Sequence, residues 1–230
     1  MKLGNIKDLV KLQPHVALND YLIELTSNTK LIKKRSHLKK HVILITGPTG
    51  AGKDTLIDAL PKEKFVRWRT WTTRTFIRED EKVFDPYVRV SAEEFEKEEN
   101  KGNFIETNIY ANNKYGTHKR EMDLAFKDGR IPVLRVDPRG ALFFNKMFEK
   151  SIPPFDVSLL HHFFVVPPSL NILKNRLKNR EKDKIKFEER FQLALRDLYF
   201  VNNSHYILIN ATGRMKNTIK SLVSLIESFD

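Results

Sequence analysis

The sequence predicts an α/β protein with a parallel sheet core flanked by helices. Three observations carry that prediction. From residue 41 onward, short apolar runs rich in β-branched residues alternate with segments of helical periodicity. A glycine-rich turn joins the first such run to a helix. With 40% apolar residues over 230 positions, the chain can bury a sizeable core without cross-links.

The elements follow in order. Residues 1–40 read as a basic helical extension. Ile6, Leu9, Val10 and Leu12 recur at helical spacing, as do Leu18, Leu22, Ile23 and Leu25, and Pro14 lies between the two sets. His41 to Thr46 is a buried strand bounded by Gly47-Pro48, and Asp54 to Leu60 is the helix after it. Val66 to Trp71 alternates like a strand. Ser91-Ala92-Glu93-Glu94 is a capping box that opens a helix. Phe104 to Ile109, Ile131 to Val136 and His161 to Val166 read as strands, the last stopped by Pro167-Pro168. Leu170 to Arg180 and Phe187 to Leu198 read as helices. Tyr206 to Ile209 is a final strand, and Thr218 to Ile226 a final amphipathic helix.

Charge narrows the function classes. The chain carries 41 Lys and Arg against 29 Asp and Glu, a net charge of +12. Such a balance suits nucleic acid, an anionic surface or phosphorylated substrates. Half of the surplus lies in residues 1–40, where Lys33-Lys34-Arg35 offers charge for weak contact with a polyanion but no stacking platform for bases. The absence of Cys excludes disulfides, thiolate catalysis and Cys-based metal sites. His161 and His162 would face opposite sides of a strand, which argues against a shared metal. No apolar run approaches the length of a membrane span, and Asp8, Asp20 and Glu24 leave no apolar signal core near the start. The expected location is cytoplasmic.

Gly47-Pro48-Thr49-Gly50-Ala51-Gly52-Lys53-Asp54-Thr55 follows the first strand and opens a helix. Glycines let the backbone curl so that its N–H groups converge on a phosphate, and the Lys reaches the β- and γ-phosphates of a nucleotide. This predicts a nucleoside triphosphate site. The general pattern has Ser or Thr directly after the Lys. Here Asp54 stands there and the hydroxyl comes one later, at Thr55, so both are candidate Mg²⁺ ligands, directly or through water.

Several later segments, in order and at matching separations, resemble guanylate kinase. They are the loop itself, Thr70-Trp71-Thr72-Thr73-Arg74, Tyr87 four residues before Ser91, Phe104-Ile105-Glu106, and Tyr115-Gly116-Thr117. Leu134-Arg135-Val136-Asp137-Pro138-Arg139-Gly140 and Pro167-Pro168-Ser169-Leu170 continue the series, followed by Arg176, Arg180 and Arg190. The resemblance covers about residues 41 to 228. It implies a P-loop NTPase-type fold with a nucleoside monophosphate (NMP)-binding subdomain and a lid. The domain at 41–230 would divide into a core (41–69, 118–177 and 191–230), an NMP-binding region (70–117) and a lid (178–190). The implied activity is transfer of the ATP γ-phosphate to GMP, with Mg²⁺.

The resemblance also implies roles. Arg74, Arg78, Tyr87 and Tyr115 would hold the acceptor phosphate, although the family's spacing for the second arginine lands on Ile77. Glu106, Thr70, Thr117 and Asp137 would read guanine. Arg176, Arg180 and Arg190 would lie over the triphosphate, and Asn210 would touch adenine. Lys53, Arg74, Arg176 and Arg190 form the expected catalytic set. The charged stretch Arg180 to Lys186 would be a mobile flap. Such a set suits phosphoryl transfer, which demands positioning and charge neutralisation rather than covalent chemistry.

Two positions depart from the family pattern: Asp54 after the loop Lys, and Arg135 where an acidic residue is usual. An Arg at 135 would favour a more anionic acceptor. Two alternatives stand beside the main reading. One is a kinase for a sugar phosphate such as ribose 1,5-bisphosphate on the same scaffold. The other is a catalytically inactive interaction module.

Overall fold

The computed structural model describes residues 17–19, 22–24, 40–77, 81, 85–110, 112–150, 158–211 and 213–228. They divide into two compact units. Unit 1 comprises residues 1–60 and 136–230, and unit 2 comprises 61–135.

Unit 1 is built on a sheet with strand order β1-β2-β11-β10-β3. These strands are β1 (Ala17–Asn19), β2 (Leu22–Glu24), β3 (Lys40–Thr46), β10 (Ser158–Val166) and β11 (Tyr206–Ile209). The central three are parallel: β10 pairs with β3 on one side and β11 on the other. Val42 to Ile45 and Phe163 to Val166 are fully buried. Parallel strands are covered on both faces, which is why they read as continuous apolar runs. Each large apolar side chain buried in these runs contributes about 1.5–3 kcal/mol to the unit's stability.

Helix α1 (Lys53–Asp58) follows β3 across the turn at residues 47–52. Helix α4 (Pro138–Glu149) starts with Asp137 as N-cap and proline in its first turn. Helices α5 (Leu170–Arg180) and α6 (Lys184–Asp197) pack through Leu173, Leu177 and Ala194. A 3-10 segment (Leu198–Asn203) places Leu198 and Val201 against Phe164, Val166, Ile207 and Ile209. Helix α7 (Met215–Glu227) closes the chain, its Leu222 and Ile226 buried.

Unit 2 holds two groups of strands. β4 (Phe65–Trp68) pairs in parallel with β9 (Ile131–Arg135). β5 (Thr70–Thr72), β6 (Tyr87–Arg89), β7 (Phe104–Tyr110) and β8 (Asn113–His118) form a four-stranded sheet in the order β6-β5-β8-β7. Helix α2 (Ala92–Asn100) is capped by Ser91, whose Oγ accepts from the Glu94 N–H at 3.0 Å. Helix α3 (Lys119–Lys127) follows β8. Phe95 of α2 stacks on Phe104 with ring centroids 4.4 Å apart. Gly116 lies against both rings, and a Cβ there would meet Phe104 at 2.7 Å. That contact explains a glycine between Tyr115 and Thr117.

The extension departs from the sequence expectation. Leu18 to Leu25 reads as helical, yet 17–19 and 22–24 are strands. β2 adds antiparallel to the edge of β11, with Ile23 opposite Ile207. So short a segment beside an open strand edge satisfies more backbone groups by joining the sheet than a one-turn helix would, since helix ends leave theirs unpaired. The remainder of residues 1–39, including Lys33-Lys34-Arg35, lies outside the described residues.

Two further differences are local. Val66 to Trp71 is not one strand but β4 and β5, broken at Arg69, because the two halves pair with different partners. The expected flap, Arg180 to Lys186, is helical except for 181–183. There Asp183 caps α6 by accepting from the Ile185 and Lys186 N–H groups. No helix among the described residues is long and apolar enough to cross a membrane.

Candidate functional site

In unit 1 the glycine-rich turn runs from the end of β3 into α1. Gly47, Gly50 and Gly52 all have positive φ, which curls the backbone. Gly52 is the N-cap of α1 with φ 88°, and a Cβ there would meet Asn210 Nδ2 at 2.3 Å. Lys53 folds back over the turn. Its Nζ donates to the carbonyls of Gly47 at 2.7 Å and Pro48 at 2.9 Å, and the side chain is buried. Thr49 and Gly50 at the rim of the turn are partly exposed, and Pro48 and Ala51 are buried. Asp54 is half-buried and Thr55 exposed in the first turn of α1. A carboxylate and a hydroxyl are hard oxygen donors and suit Mg²⁺, which is held by few protein ligands together with phosphates.

Two residues brace this turn from afar. Asn210 Nδ2 donates to the Ala51 carbonyl at 2.8 Å, while its own N–H donates to Val166 O at 2.8 Å. Asn210 is buried, so in this structure it supports the turn rather than presenting itself to a base. Arg176 on α5 donates to Ala51 O at 3.3 Å and to Asn210 O at 3.0 Å. Burial holds its pKa below the usual arginine value. Arg180, one turn further along α5, is exposed on the same helix face. Arg190 on α6 pairs with Glu181 at 3.3 Å.

The acceptor candidates lie in unit 2, with one exception. Thr72 and Thr73 tie the end of β5 to β8: Thr72 Oγ1 donates to Lys114 O at 2.9 Å, and Thr73 Oγ1 accepts from Lys114 N–H at 2.9 Å. This anchors Arg74, which is only 1% exposed. Its Nη2 donates to both oxygens of Glu81, at 2.5 and 2.6 Å. Its Nε and Nη1 are buried and have no hydrogen-bond partner among the described residues. Two orphaned donors on a buried cation are costly unless an acceptor arrives, and they suit an anion.

Tyr87 lies beside Arg74, whose guanidinium carbon is 5.0 Å from the Tyr87 ring centroid. The Tyr115 ring meets the Tyr87 ring edge-on, with centroids 5.8 Å apart. Glu106 and Thr117 face each other across β7 and β8, and Thr117 Oγ1 donates to Glu106 Oε1 at 2.7 Å. The β7–β8 register shifts between Phe104 and Glu106, a local irregularity that re-aims side chains. Thr70 stands opposite Tyr87 in the β5–β6 pairing. Asp137 belongs to unit 1, where its Oδ1 caps α4 by accepting from the Arg139 and Gly140 N–H groups. Arg78 lies outside the described residues.

Sequence reasoning passed over Arg89, Glu81 and Asp197, and it named Arg135 without a partner. Arg89 binds Asp85, Glu81 and the carbonyls of Arg74 and Phe76, and so locks the chain around Arg74. Its signal was the two-residue spacing from Tyr87, which puts both on one face of β6. Glu81 leaves no local signal, since only the fold brings it to Arg74. Arg135, read from the sequence as a departure that would favour a more anionic acceptor, donates from Nη1 to the Tyr87 hydroxyl at 2.7 Å. Asp197, at the end of α6, is raised to about 6 by burial, against the pull of Lys53 and with a push from Asp137.

His161 and His162 do point to opposite faces. His161 Nε2 lies 2.8 Å from His41 Nδ1, and His162 Nε2 lies 2.8 Å from Thr46 Oγ1. His205 Nδ1 accepts from the His162 N–H at 3.1 Å. Burial pushes His162 down to about 3 and His205 to about 4, and it also lowers His161 well below its usual value.

The guanylate kinase family model matches residues 39–228. The guanylate kinase of Mycoplasma genitalium is 31% identical over 222 residues, covering 90% of this chain and 89% of that protein. That of Chlorobium luteolum is 30% identical over 190 residues, covering 82% and 91%. Among solved structures, guanylate kinase from Anaplasma phagocytophilum superposes with a TM-score of 0.58 at 19% identity, covering 83% of this chain and 86% of that one. The last is a likeness of fold.

Proposed function

Because the chain belongs to the guanylate kinase family, its reaction is ATP-dependent phosphoryl transfer to GMP, and we propose that the residues above divide that task between the two units. The loop of unit 1 takes the triphosphate of ATP, and Arg74, Tyr87 and Tyr115 of unit 2 take the phosphate of GMP. Residues 70–117 form the acceptor-binding region in this reading and 178–190 the lid. The observation that carries the acceptor assignment is the pair of orphaned donors on buried Arg74.

An oxygen of the GMP phosphate forms a bond to the γ-phosphorus. The bond from that phosphorus to the β–γ bridging oxygen breaks, and ADP leaves with the electron pair. The attacking oxygen carries no proton to remove, so no general base is needed. Catalysis consists of holding two polyanions in line and neutralising charge on the transferred group. Lys53 and the loop N–H groups meet the β- and γ-phosphates. Arg176, Arg180 and Arg190 supply further charge from α5 and α6. Asn210 and Arg176 keep the Ala51 carbonyl turned away from the phosphates, so that the loop presents donors. Asp54 and Thr55 would hold Mg²⁺, which neutralises phosphate charge when bound.

Glu106 accepts hydrogen bonds from the guanine N1–H and exocyclic amine, its carboxylate oriented by Thr117. Adenine offers an acceptor at N1 and would leave the carboxylate unpaired, a mismatch that discriminates strongly. Thr70 and Asp137 complete base recognition in this reading. The comparisons favour neither a sugar-phosphate acceptor nor an inactive interaction module. The working compartment of this enzyme is the cytoplasm, where both nucleotides are available.

The test is coupled ADP release from ATP with Mg²⁺, with GMP, AMP, UMP and ribose 1,5-bisphosphate offered in parallel. Turnover is expected with GMP and should vanish in Lys53→Ala while far-UV circular dichroism is unchanged. Substantial turnover by folded Lys53→Ala would defeat the assignment of the loop.

A further inference from the structure

We propose that Arg135 is a positioning residue for the acceptor phosphate, acting through the Tyr87 hydroxyl. The inference rests on the reading of unit 2 as the GMP side.

Donor and acceptor capacity fix the direction of the Arg135–Tyr87 hydrogen bond. Arg135 Nη1 lies 2.7 Å from the Tyr87 hydroxyl oxygen. A guanidinium has only donors, so in this bond the phenol oxygen must accept. The direction holds wherever the hydrogens lie, because an arginine stays protonated in proteins. With one lone pair of its oxygen engaged, Tyr87 must use its own O–H outward, and that O–H can serve only an acceptor. A second donor arriving there would face the phenol proton.

The surroundings say which acceptor. Three guanidinium groups converge on this one tyrosine. Arg74 lies 5.0 Å and Arg89 5.5 Å from the ring centroid, and Arg135 holds the hydroxyl end. The Tyr115 ring fixes the remaining approach, 5.8 Å from the Tyr87 ring. Glu81 and Asp85 pair with Arg74 and Arg89 and offset part of this charge. The buried Nε and Nη1 of Arg74 nevertheless have no partner among the described residues and ask for an anionic oxygen, which the Tyr87 O–H also suits. The fitting ligand is the phosphate monoester of the acceptor nucleotide.

Arg135 thus does two things. It orients the Tyr87 O–H dipole toward the phosphate before the substrate arrives, so less ordering is lost on binding. It also strengthens Tyr87 as a donor by polarising its oxygen, as chains of hydrogen bonds do. Neither effect touches the base. The phosphate arm of recognition should therefore respond to Arg135, and the guanine arm should not.

The experiment compares the unsubstituted chain with Arg135→Met, Arg135→Lys, Tyr87→Phe and the Arg135→Met/Tyr87→Phe double variant. Each is assayed for KM of GMP and of ATP, and for inhibition by guanosine, which has the base but no phosphate. In Arg135→Met, the KM for GMP should rise about tenfold, while the KM for ATP and the Ki for guanosine stay within about twofold. Arg135→Lys, which can still donate one hydrogen bond, should recover part of the loss. The double variant should be little worse than Tyr87→Phe alone, because Arg135 acts through that hydroxyl.

An unchanged KM for GMP in Arg135→Met would overturn the proposal. So would a rise shared equally by GMP and guanosine, which marks a merely structural role. Additive losses in the double variant would equally overturn action through Tyr87. No turnover of GMP by the unsubstituted chain would instead overturn the functional reading, and the proposal with it.

Discussion

Lowering the pH from 7.5 to 5.5 should destabilise this protein through the buried histidines of unit 1. An unfolded histidine titrates near 6.5. In the fold, burial holds His162 at about 3 and His205 at about 4, so both remain neutral at pH 5.5 while their unfolded counterparts bind protons. The stability they contribute is complete above pH 6.5 and is lost as the pH falls toward the folded values, because the unfolded state binds more protons throughout that window. One pH unit below 6.5, each such histidine costs about 1–2 kcal/mol, or about 3 kcal/mol for the two. His161, lowered in the same direction by burial and by His41 and His205, adds to the loss.

Asp197 opposes the trend. Its folded pKa of about 6 lies above the unfolded value, so it takes up a proton on folding as the pH drops. At pH 5.5 this offsets a little under 1 kcal/mol. The carboxylates with lowered pKa, Glu98 at about 2 among them, act only below the ordinary carboxylate range and leave this window alone. The net loss is about 2 kcal/mol before His161 is included. With a urea dependence of about 2 kcal/mol per molar, the unfolding midpoint should fall by about 1 M. The assay is urea unfolding at both pH values, followed by far-UV circular dichroism. His162→Gln, which keeps a hydrogen-bonding group for Thr46, should shrink the shift by about 0.7 M. A midpoint that holds within about 0.3 M, or rises on acidification, would refute the reasoning.

Three other outcomes follow from the geometry. Gly52→Ala brings a Cβ to within 2.3 Å of Asn210 Nδ2 at a positive φ, so the KM for ATP should rise at least tenfold while the KM for GMP changes little; equal effects on both would dissociate the loop from ATP. Glu106→Ala should weaken GMP by about 2–3 kcal/mol, or roughly a hundredfold in KM, and leave ATP within twofold, since it removes charged hydrogen bonds to the base alone; parity between the nucleotides would remove Glu106 from base recognition. Gly116→Ala should lower stability by about 1–3 kcal/mol through overpacking against Phe104 and Phe95, read as a lower thermal midpoint; an unchanged midpoint would show that the two rings yield freely.

Much of the candidate site was legible before any coordinates, because its signals are local. A glycine-rich turn between a strand and a helix announces itself within nine residues, and so does Ser91 as a cap three residues before Glu94. The continuous apolar runs of β3, β10 and β11 marked parallel strands because both faces of each are buried. Less legible were β8, whose Asn-Lys-Tyr-Gly composition reads as a turn, and α4, whose start at Asp137-Pro138 reads equally as a strand-ending turn. The strands at 17–19 and 22–24 were misread as helix because β2 pairs with β11, some 180 residues away, β1 in turn pairs with β2, and sequence periodicity carries no trace of either pairing.

The sequence by itself determined the fold class, the glycine-rich turn between β3 and α1 and the residue types that the proposed function draws on, because each rests on spacing along the chain. Only the tertiary structure decided how those groups are held. It set Asn210 behind the turn 159 residues away, closed Glu81 onto Arg74, kept three histidines neutral by burial, and brought Arg135 across 48 residues to the hydroxyl of Tyr87. Hydrogen-bond partners and desolvation are properties of neighbours in space, and a chain read one residue at a time does not contain them.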